Sequence, residues 1–389
     1  MIYLAGNSLG LQPVASRDIV LAEIDKWATK GVRGHFEGDR PWAPFHEFLT
    51  EPMARIVGAT PKEVVVMNSL TANLHFLMVS FYRPEGRRHK VLIEDHAFPS
   101  DHYAVESQAR FHGYDPEEAV VRIQPRQGEE TIRTEDLLET IRVNGPELAL
   151  VLLPGVQYYT GQVLPMRALS EAAHAAGATV GLDLAHAVGN VELALHDWDV
   201  DFAVWCTYKY LNGGPGATGA AFVHERHITD EALPRFNGWW GHDKTTRFEM
   251  TNDFVPIPTA EAWQVSNAPV FSMAPLIASL RVFDEAGGVF ALRTKAARQA
   301  EYFDTLLSHR LEGRVESITP SENDQRGCQL SLRVVAPGAD GHSVFAALER
   351  ANVDCDWRYP DAIRVAPVPL YNTYADIHDF VAALDEVLS

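Results

Sequence analysis

Short apolar runs recur along the first part of the chain, separated by stretches in which apolar positions have helical spacing. The runs typical of buried strands are residues 91–94, 148–153, 179–184, 202–206 and 219–223. A helical pattern at residues 165–177 has proline near its start and glycine just past its end, as crossover helices do. This alternation predicts an α/β fold with a mainly parallel central sheet flanked by helices.

The pattern changes after about residue 265. A long helical pattern is followed by two short strand-like runs and a closing helical pattern, at residues 274–311, 329–334, 363–366 and 376–388. We predict a smaller α+β domain here, joined in space by the first residues of the chain. The expected division is a large domain at residues 44–264 and a smaller one made of residues 1–43 together with 265–389.

Composition and charge narrow the possible functions. The chain has 389 residues, 46% of them hydrophobic, which is enough for a large core and two domains. A formal net charge of -19 disfavours binding to nucleic acid or to an anionic membrane surface. Without a secretory pattern or a bilayer-length apolar stretch, a cytoplasmic location is the default expectation. The 16 histidines and 3 cysteines lack metal-ligand spacing, so no structural metal is expected.

The first candidate chemistry lies at the ends of two predicted strands. Lys209 follows one apolar run and precedes a glycine-rich turn, while Asp183 and then His186 close another. Neighbouring parallel strands bring such side chains to one edge of the sheet, where open α/β sheets bind ligands. A lysine and a carboxylate in this arrangement suit pyridoxal 5'-phosphate (PLP), as covalent anchor and as partner of the pyridine nitrogen. Taken alone, Lys209 has the alternative of a strand-end lysine with its amine in solvent, and Asp183 that of a helix cap.

A second group of candidates surrounds the start of a predicted helix at residues 67–81. Leu70 and Thr71 lie near its first turn, where free backbone amides bind phosphate and the threonine hydroxyl adds a donor. An ordinary threonine cap is the alternative. An aromatic platform for the cofactor ring, with two polar contacts, is offered by Phe98, Ser100 and Asp101. The alternative for the aromatic residue is a place in the core.

Seven motifs, in order along the chain, carry a resemblance that covers essentially its whole length. They are LAGNSLGLQP (4–13), NSLTANLH (68–75), FPSDHY (98–103), DLAHAVGN (183–190), YKYLN (208–212), GWWGH (238–242) and RVAPVPLY (364–371). The chain resembles the kynureninases, PLP-dependent enzymes of fold type I in the aminotransferase superfamily. The resemblance implies hydrolytic cleavage of L-kynurenine or 3-hydroxy-L-kynurenine to L-alanine and anthranilate or 3-hydroxyanthranilate, in tryptophan degradation.

The resemblance also implies roles for individual residues. Lys209 would bind the cofactor, Asp183 would pair with its pyridine nitrogen, and Arg364 would grip the substrate carboxylate with its planar fork. A solvated strand arginine is the alternative for Arg364. The phosphate would be held by Leu70, Thr71 and Tyr208, and the ring lined by Phe98, Pro99, Ser100, Asp101 and His186. Trp239 and Asn267 would complete the cofactor and substrate pocket, and Asn7 and Ser8 would bind the substrate. From their polar or aromatic character, His35, Trp42 and Asn267 are candidates to meet the substrate's aryl end, with loop packing as an equal alternative for His35 and Trp42.

Further expectations concern catalysis and assembly. Tyr208, next to the lysine, is the candidate for late proton transfer, which makes Lys209, Tyr208 and Asp183 the expected catalytic set. Fold-type-I sites are usually completed by two subunits, so the resemblance implies a homodimer with shared active sites. Two departures from the family pattern are the short stretch before the Asn7 motif and Pro154, where some relatives have serine.

Two other functions compete with this interpretation. A cysteine desulfurase of the same superfamily is suggested by Cys328, but residues 327–334 have the alternation of a strand rather than a mobile loop. A non-catalytic binding protein on the same fold is the other alternative. The joint presence of Lys209, Asp183, Thr71 and Arg364 argues against it.

Overall fold

A computed structural model describes residues 1–389. The strands are β1 (Ile2–Tyr3), β2 (Val64–Val66), β3 (Lys90–Glu94), β4 (Val120–Ile123), β5 (Leu148–Pro154), β6 (Thr179–Asp183), β7 (Phe202–Trp205), β8 (Ala220–Val223), β9 (Val315–Ser317), β10 (Leu330–Val334), β11 (Val353–Asp354), β12 (Asp356–Arg358) and β13 (Ala362–Val365). The helices are α1 (Ser16–Lys30), α2 (Glu47–Val57), α3 (Leu70–Phe81), α4 (Pro99–Phe111), α5 (Pro116–Ala119), α6 (Thr134–Asn144), α7 (Met166–Ala175), α8 (Glu225–Ile228), α9 (Val270–Glu285), α10 (Gly288–Arg310), α11 (Gly341–Arg350) and α12 (Tyr374–Val387). No helix combines the length and the apolar character needed to cross a membrane.

The central sheet has seven strands in the order β2-β8-β7-β6-β5-β3-β4. Every neighbouring pair from β7 to β4 is parallel, and β8 runs antiparallel to both β2 and β7. All five apolar runs singled out in the sequence form strands of this sheet. The predicted α/β fold with a mainly parallel sheet flanked by helices is therefore confirmed.

Each face of the central sheet is covered by its own apolar core. Phe202 and Val204 of β7 pack into one core, while Ala203 and Trp205 pack into the other. This follows from the strand geometry, because successive side chains point to opposite faces. Burial on both sides explains why the strands read as continuous apolar runs rather than as an alternation.

A second sheet lies in the carboxyl-terminal part of the chain. It is antiparallel, with the order β12-β13-β10-β9, and a separate core packs between it and helices α10, α11 and α12. The amino terminus joins this part through a parallel pair in which Ile2 lies opposite Val353. The long helical pattern is divided into α9 and α10 by Gly287 and Gly288, whose φ angles are 86° and 79°. Helix α9 packs its side chains into the core of the large sheet. A division at residues 44 and 264 stays a prediction.

The parallel strands end at one edge of the central sheet. Pro154 at the end of β5 lies opposite Asp183 at the end of β6, and β3 ends nearby at Glu94. Helices α3 and α4 begin close to this edge, since the Thr71 hydroxyl in the first turn of α3 lies 2.8 Å from the Ser100 hydroxyl in α4. The edge thus combines side chains from strand ends with two helix amino termini, which is where ligands bind in such sheets.

Candidate active site

A pocket opens at this edge of the sheet and collects most of the predicted site residues. Its lining is Leu70, Thr71, Glu94, Phe98, Ser100, Asp101, Pro154, Val156, Tyr158, Asp183, Ala185, His186, Tyr208 and Lys209. Nine of the predicted residues are in this set. Pro99 is the first residue of α4, between two of the lining residues, and does not itself line the pocket.

Lys209 projects into the pocket from the loop after β7. Its Nζ lies 3.0 Å from Nε2 of His186, and it lies 5.9 Å from the ring centres of both Phe98 and Tyr208. Burial, aided by the Lys209 charge, lowers the pKa of His186 well below its usual value. The imidazole is therefore neutral and accepts an N–H from the lysine. The side chain is thus directed inward and not into solvent, unlike that of an ordinary strand-end lysine.

Three carboxyl groups lie together at the floor of the pocket. Asp183 accepts a hydrogen bond of 2.7 Å from the Ala185 amide, and Glu94 accepts one of 2.9 Å from Gln157. One oxygen of Glu94 and one of Asp101 are buried without a hydrogen-bond partner. Burial raises the pKa of Glu94 to about 7 and that of Asp183 above its usual value, and burial together with Asp183 raises the pKa of Asp101 well above it. Three buried acids near one amine must share protons, and they favour a ligand that brings a cationic N–H.

The amino termini of helices α3 and α4 also line the pocket. Ser69 precedes α3 and makes no side-chain cap, and the Thr71 hydroxyl bonds Ser100 rather than a helix amide. The first backbone amides of α3 therefore keep their donors for a ligand. Gly219 lies against this turn, since a Cβ atom there would come within 3.1 Å of the Leu70 nitrogen. Free amides and hydroxyls at a helix start suit a phosphate group.

Arg364 lies beside the pocket and is almost completely buried. Its Nη1 donates to the Tyr158 carbonyl at 2.6 Å, and its Nη2 contacts Asp356 and lies 3.3 Å from the Ser8 hydroxyl. Its Nε is buried without a partner. Asn7, also buried, donates to Gln329 at 3.3 Å. A buried guanidinium with an unused donor is suited to bind a carboxylate, which a solvated strand arginine would not be.

The remaining predicted residues lie outside this pocket in the single chain. His35 packs edge-on against Trp42 at 5.3 Å, and the Trp42 indole donates to Glu23 at 2.8 Å. Trp239 is 48% exposed and its ring packs against Phe248. Asn267 is exposed as well. Their roles at the site stay predictions.

Several residues of the site were not predicted from the sequence. Glu94 had a usable signal, because it is a carboxylate at the end of an apolar run, as Asp183 is. Tyr158, whose ring packs edge-on against Phe98 at 5.4 Å, and Asp356 had none. They reach the site only through contacts between residues far apart in the chain. Cys328 lies away from the pocket, fully buried, and burial raises the pKa of its thiol to about 12, which does not suit a reactive cysteine.

The residues present fit PLP at each of its functional ends. The free amides of α3 with Thr71 and Ser100 fit the phosphate, and the orphaned carboxyl oxygens near Asp183 fit a protonated pyridine nitrogen. Lys209 lines the same pocket and would supply the amine that binds the aldehyde of the cofactor.

Comparisons with solved structures place the fold. A cystine C–S lyase, solved with its product cysteine persulfide, has a TM-score of 0.81 at 18% identity and covers 99% of this chain and 97% of its own. A cysteine desulfurase from Thermococcus onnurineus has a TM-score of 0.79 at 17% identity, covering 100% and 94%. The predicted fold, type I of the PLP-dependent enzymes, is confirmed. At these identities the likeness does not extend to the activity.

Sequence comparisons place the family. A family profile described as the kynureninase C-terminal domain matches residues 292–384. Proteins named kynureninase from Myxococcus xanthus and Salinispora tropica are 54% and 55% identical, over 99% of this chain and 89% and 90% of their own lengths. A kynureninase from Flavobacterium psychrophilum is 49% identical over 98% of this chain and 89% of its own length. The chain belongs to the kynureninase family.

Proposed function

We propose that the protein hydrolyses L-kynurenine to L-alanine and anthranilate, with PLP bound covalently at Lys209. The observation that carries the proposal is the convergence of Lys209, Asp183 and Thr71 in one pocket, in a chain about half identical to proteins named kynureninase. The reaction adds water across the bond between the substrate Cβ and Cγ. The chain must therefore hold the amino-acid end of the substrate and move protons at defined atoms.

PLP, when bound, supplies an electron-withdrawing ring that stabilises negative charge on the substrate carbons next to it. Asp183 would support this by accepting the pyridine N–H with one oxygen, while the Ala185 amide fixes the other. Asp101 lies beside Asp183, and burial together with the charge of Asp183 raises the pKa of Asp101 well above its usual value. It therefore adds a neutral neighbour, and not a second charge, to the carboxylate that faces the ring.

Lys209 is the residue that moves protons at the substrate Cα. Its amine lies in the pocket, 3.0 Å from Nε2 of His186, and would be the base available to the substrate Cα. His186 is neutral, so it orients the amine without placing a second positive charge beside it. This arrangement leaves the lysine free to take a proton and return it.

Tyr208 is the proposed acid for the later step. Burial raises the pKa of its phenol, so the proton is held throughout the physiological pH range. When the bond between Cβ and Cγ breaks, Cβ needs a proton before alanine can leave. The phenol lies next to Lys209 in the lining of the same pocket, which makes it the available donor.

Arg364 is the proposed carboxylate site. Its Nε has no partner, while the Tyr158 carbonyl and Asp356 fix the rest of the guanidinium. Ser8 contacts Arg364, and Asn7 bonds Gln329, which shares the Tyr158 carbonyl with Arg364. We propose that Asn7 and Ser8 both contact the same end of the substrate. Holding the carboxylate here orients the Cα proton toward the lysine.

We propose that a second copy of the chain completes the aryl end of the pocket. Several exposed aromatic side chains pack against one another: Trp27 with Phe271, Phe36 with Phe248, and Trp239 with Phe248. Exposed apolar surface of this kind marks an interface. The partner copy would then contribute Trp239 and Asn267, with His35 and Trp42 nearby, and their polar atoms would accommodate a ring hydroxyl.

Hybrid dimers test the shared site. We expect Lys209→Ala and Trp239→Ala to be nearly inactive when each is pure. If Trp239 acts across the interface, a mixed dimer of the two variants has one site with both residues intact, so mixing restores activity. If the residue acts within its own chain, neither site of the mixed dimer is intact and mixing restores none. A monomeric protein in sedimentation would contradict the proposal outright.

Product analysis tests the function. We expect the holoenzyme to release anthranilate and alanine from L-kynurenine in equal amounts, and 3-hydroxyanthranilate from 3-hydroxykynurenine. No sulfide should appear from L-cysteine, which distinguishes the activity from that of a desulfurase. Release of sulfide without cleavage of kynurenine would favour a desulfurase over a kynureninase. No turnover of 3-hydroxykynurenine would contradict the expected activity on the hydroxylated substrate.

A further inference from the structure

Arg364 shares one acidic neighbour with a second arginine. Nη2 of Arg358 lies 3.0 Å from Oδ2 of Asp356, and Nη2 of Arg364 and the hydroxyl of Ser8 contact the same oxygen. The antiparallel register of β12 and β13 places Asp356 directly opposite Arg364. Strand pairing therefore brings Arg364 to Asp356, whereas Arg358 lies two residues further along β12, on the same face of the strand.

Asp356 is charged in this setting. Burial opposes its ionisation, but Arg364, the Ser8 hydroxyl and Arg358 outweigh it and hold its pKa below the usual value. Its side chain is 13% exposed, and that of Arg364 is 2% exposed. Two guanidinium groups and one carboxylate leave the cluster with one uncompensated positive charge. Solvent screens this charge poorly at Arg364, whereas the Arg358 side chain is 33% exposed.

The donors that remain available are few. Nη1 of Arg364 is used by the Tyr158 carbonyl, while its Nε is buried and has no partner. One oxygen of Asp356 accepts hydrogen bonds from three side chains, so the carboxylate is held in place and is not displaced when an anion binds. The cluster is thus built to accept one further anion next to a carboxylate that stays in place.

We infer that Asp356 is a specificity-determining residue, which sets the charge of the anion that Arg364 accepts. By cancelling one of the two guanidinium charges, it makes the cluster complementary to a single carboxylate and unfavourable to inorganic dianions. The inference rests on the proposed function, in which Arg364 binds the substrate carboxylate. Without Asp356, the cluster carries two positive charges and a dianion becomes the better match.

The test compares sulfate with acetate, each measured by calorimetry on the holoenzyme at constant ionic strength. In the nearly isosteric variant Asp356→Asn, we expect the affinity for sulfate relative to acetate to rise about tenfold or more over wild type. Asp356→Glu keeps the charge and should keep the wild-type ratio. Asp354→Asn, which neutralises a nearby acid that contacts neither arginine, should also keep it.

A second pair of variants, in which the net charge of the cluster is first lowered and then restored, makes the test independent of the behaviour of Asp356→Asn alone. Arg358→Gln removes one positive charge and should lower the sulfate preference below that of wild type. The double variant Asp356→Asn with Arg358→Gln has the wild-type charge count and should return the ratio to the wild-type value. An unchanged ratio in Asp356→Asn, or an equal rise in Asp354→Asn, would overturn the inference.

Turnover separates this inference from the proposed function. If wild type failed to cleave kynurenine, the proposed function would be wrong while the anion measurement still reported on the arginine cluster. If wild type cleaves kynurenine but sulfate does not become a competitive inhibitor of Asp356→Asn, the role assigned to Asp356 is wrong and the function stands.

Discussion

Replacing Arg364 by lysine tests whether the fork of this side chain, and not its charge alone, holds the substrate. Lysine keeps a positive charge that Asp356 can neutralise, so we expect the fold to persist. Lysine cannot keep the Tyr158 carbonyl at 2.6 Å, contact Asp356 and present the donor now offered by Nε at the same time. The substrate carboxylate therefore loses at least one charge-assisted hydrogen bond and its fixed orientation.

The expected size of the effect follows from that loss. One or two hydrogen bonds to a charged group contribute about 2–4 kcal/mol, so kcat/KM for L-kynurenine should fall roughly 30- to 700-fold. Initial rates can be followed through the loss of kynurenine absorbance. Arg326→Lys is the matched control. Arg326 is equally buried and its Nη2 lies 2.7 Å from Asp304, but it does not line the pocket.

Two results would refute this reasoning. One is a wild-type kcat/KM in Arg364→Lys, which would mean that the carboxylate is held elsewhere. The other is an equal loss in Arg326→Lys, which would attribute the effect to the removal of any buried guanidinium. A fall in affinity for 3-benzoylpropanoate, which has the carboxylate but no amine, together with unchanged affinity for propiophenone, which has neither, would locate the loss at the carboxylate.

The other predictions concern proton transfer, buried acids and cysteine. Tyr208→Phe should lower kcat by about 10²–10⁴ if the phenol donates a proton at Cβ, and wild-type single-turnover rates would remove that role. Glu94 has a folded-state pKa of about 7 against an ordinary 4.5, so wild type should lose stability as the pH rises between these values, whereas Glu94→Gln should not. In urea unfolding across this pH range, the free energy of unfolding of the variant should rise relative to that of wild type by about 3 kcal/mol. The same dependence of unfolding free energy on pH in both proteins would contradict this expectation. Cys328→Ala should keep full turnover of kynurenine, because the buried thiol lies outside the pocket; loss of turnover without loss of folding would give Cys328 a part in the reaction.

The sequence was most informative where local patterns and strand ends coincide. Lys209 and Asp183 could be placed together because both follow apolar runs, and parallel strands end at one edge. Thr71 could be placed at a helix start by the same local logic. These inferences need only the period of the pattern and the rule for ligand sites in open sheets.

Long-range pairing limited what the sequence could predict. Asp356 reaches Arg364 only because β12 and β13 pair in one particular register, and Tyr158 reaches it through its backbone carbonyl. Neither contact leaves a periodic signal. The break between α9 and α10 has a local signal in the Gly287-Gly288 pair, whose positive φ angles interrupt a helical pattern that the flanking residues continue on both sides.

The measurement that tests the central claim most directly is the fate of the oxygen of water. The holoenzyme would be incubated with L-kynurenine in water enriched in oxygen-18, the heavy oxygen isotope, with Lys209→Ala in parallel. The masses of the products would be measured by mass spectrometry. Hydrolysis at the bond between Cβ and Cγ predicts anthranilate with the heavy oxygen in its carboxylate, alanine without it, and no products from the variant. Unlabelled anthranilate, or equal turnover by Lys209→Ala, would contradict a lysine-dependent hydrolytic cleavage.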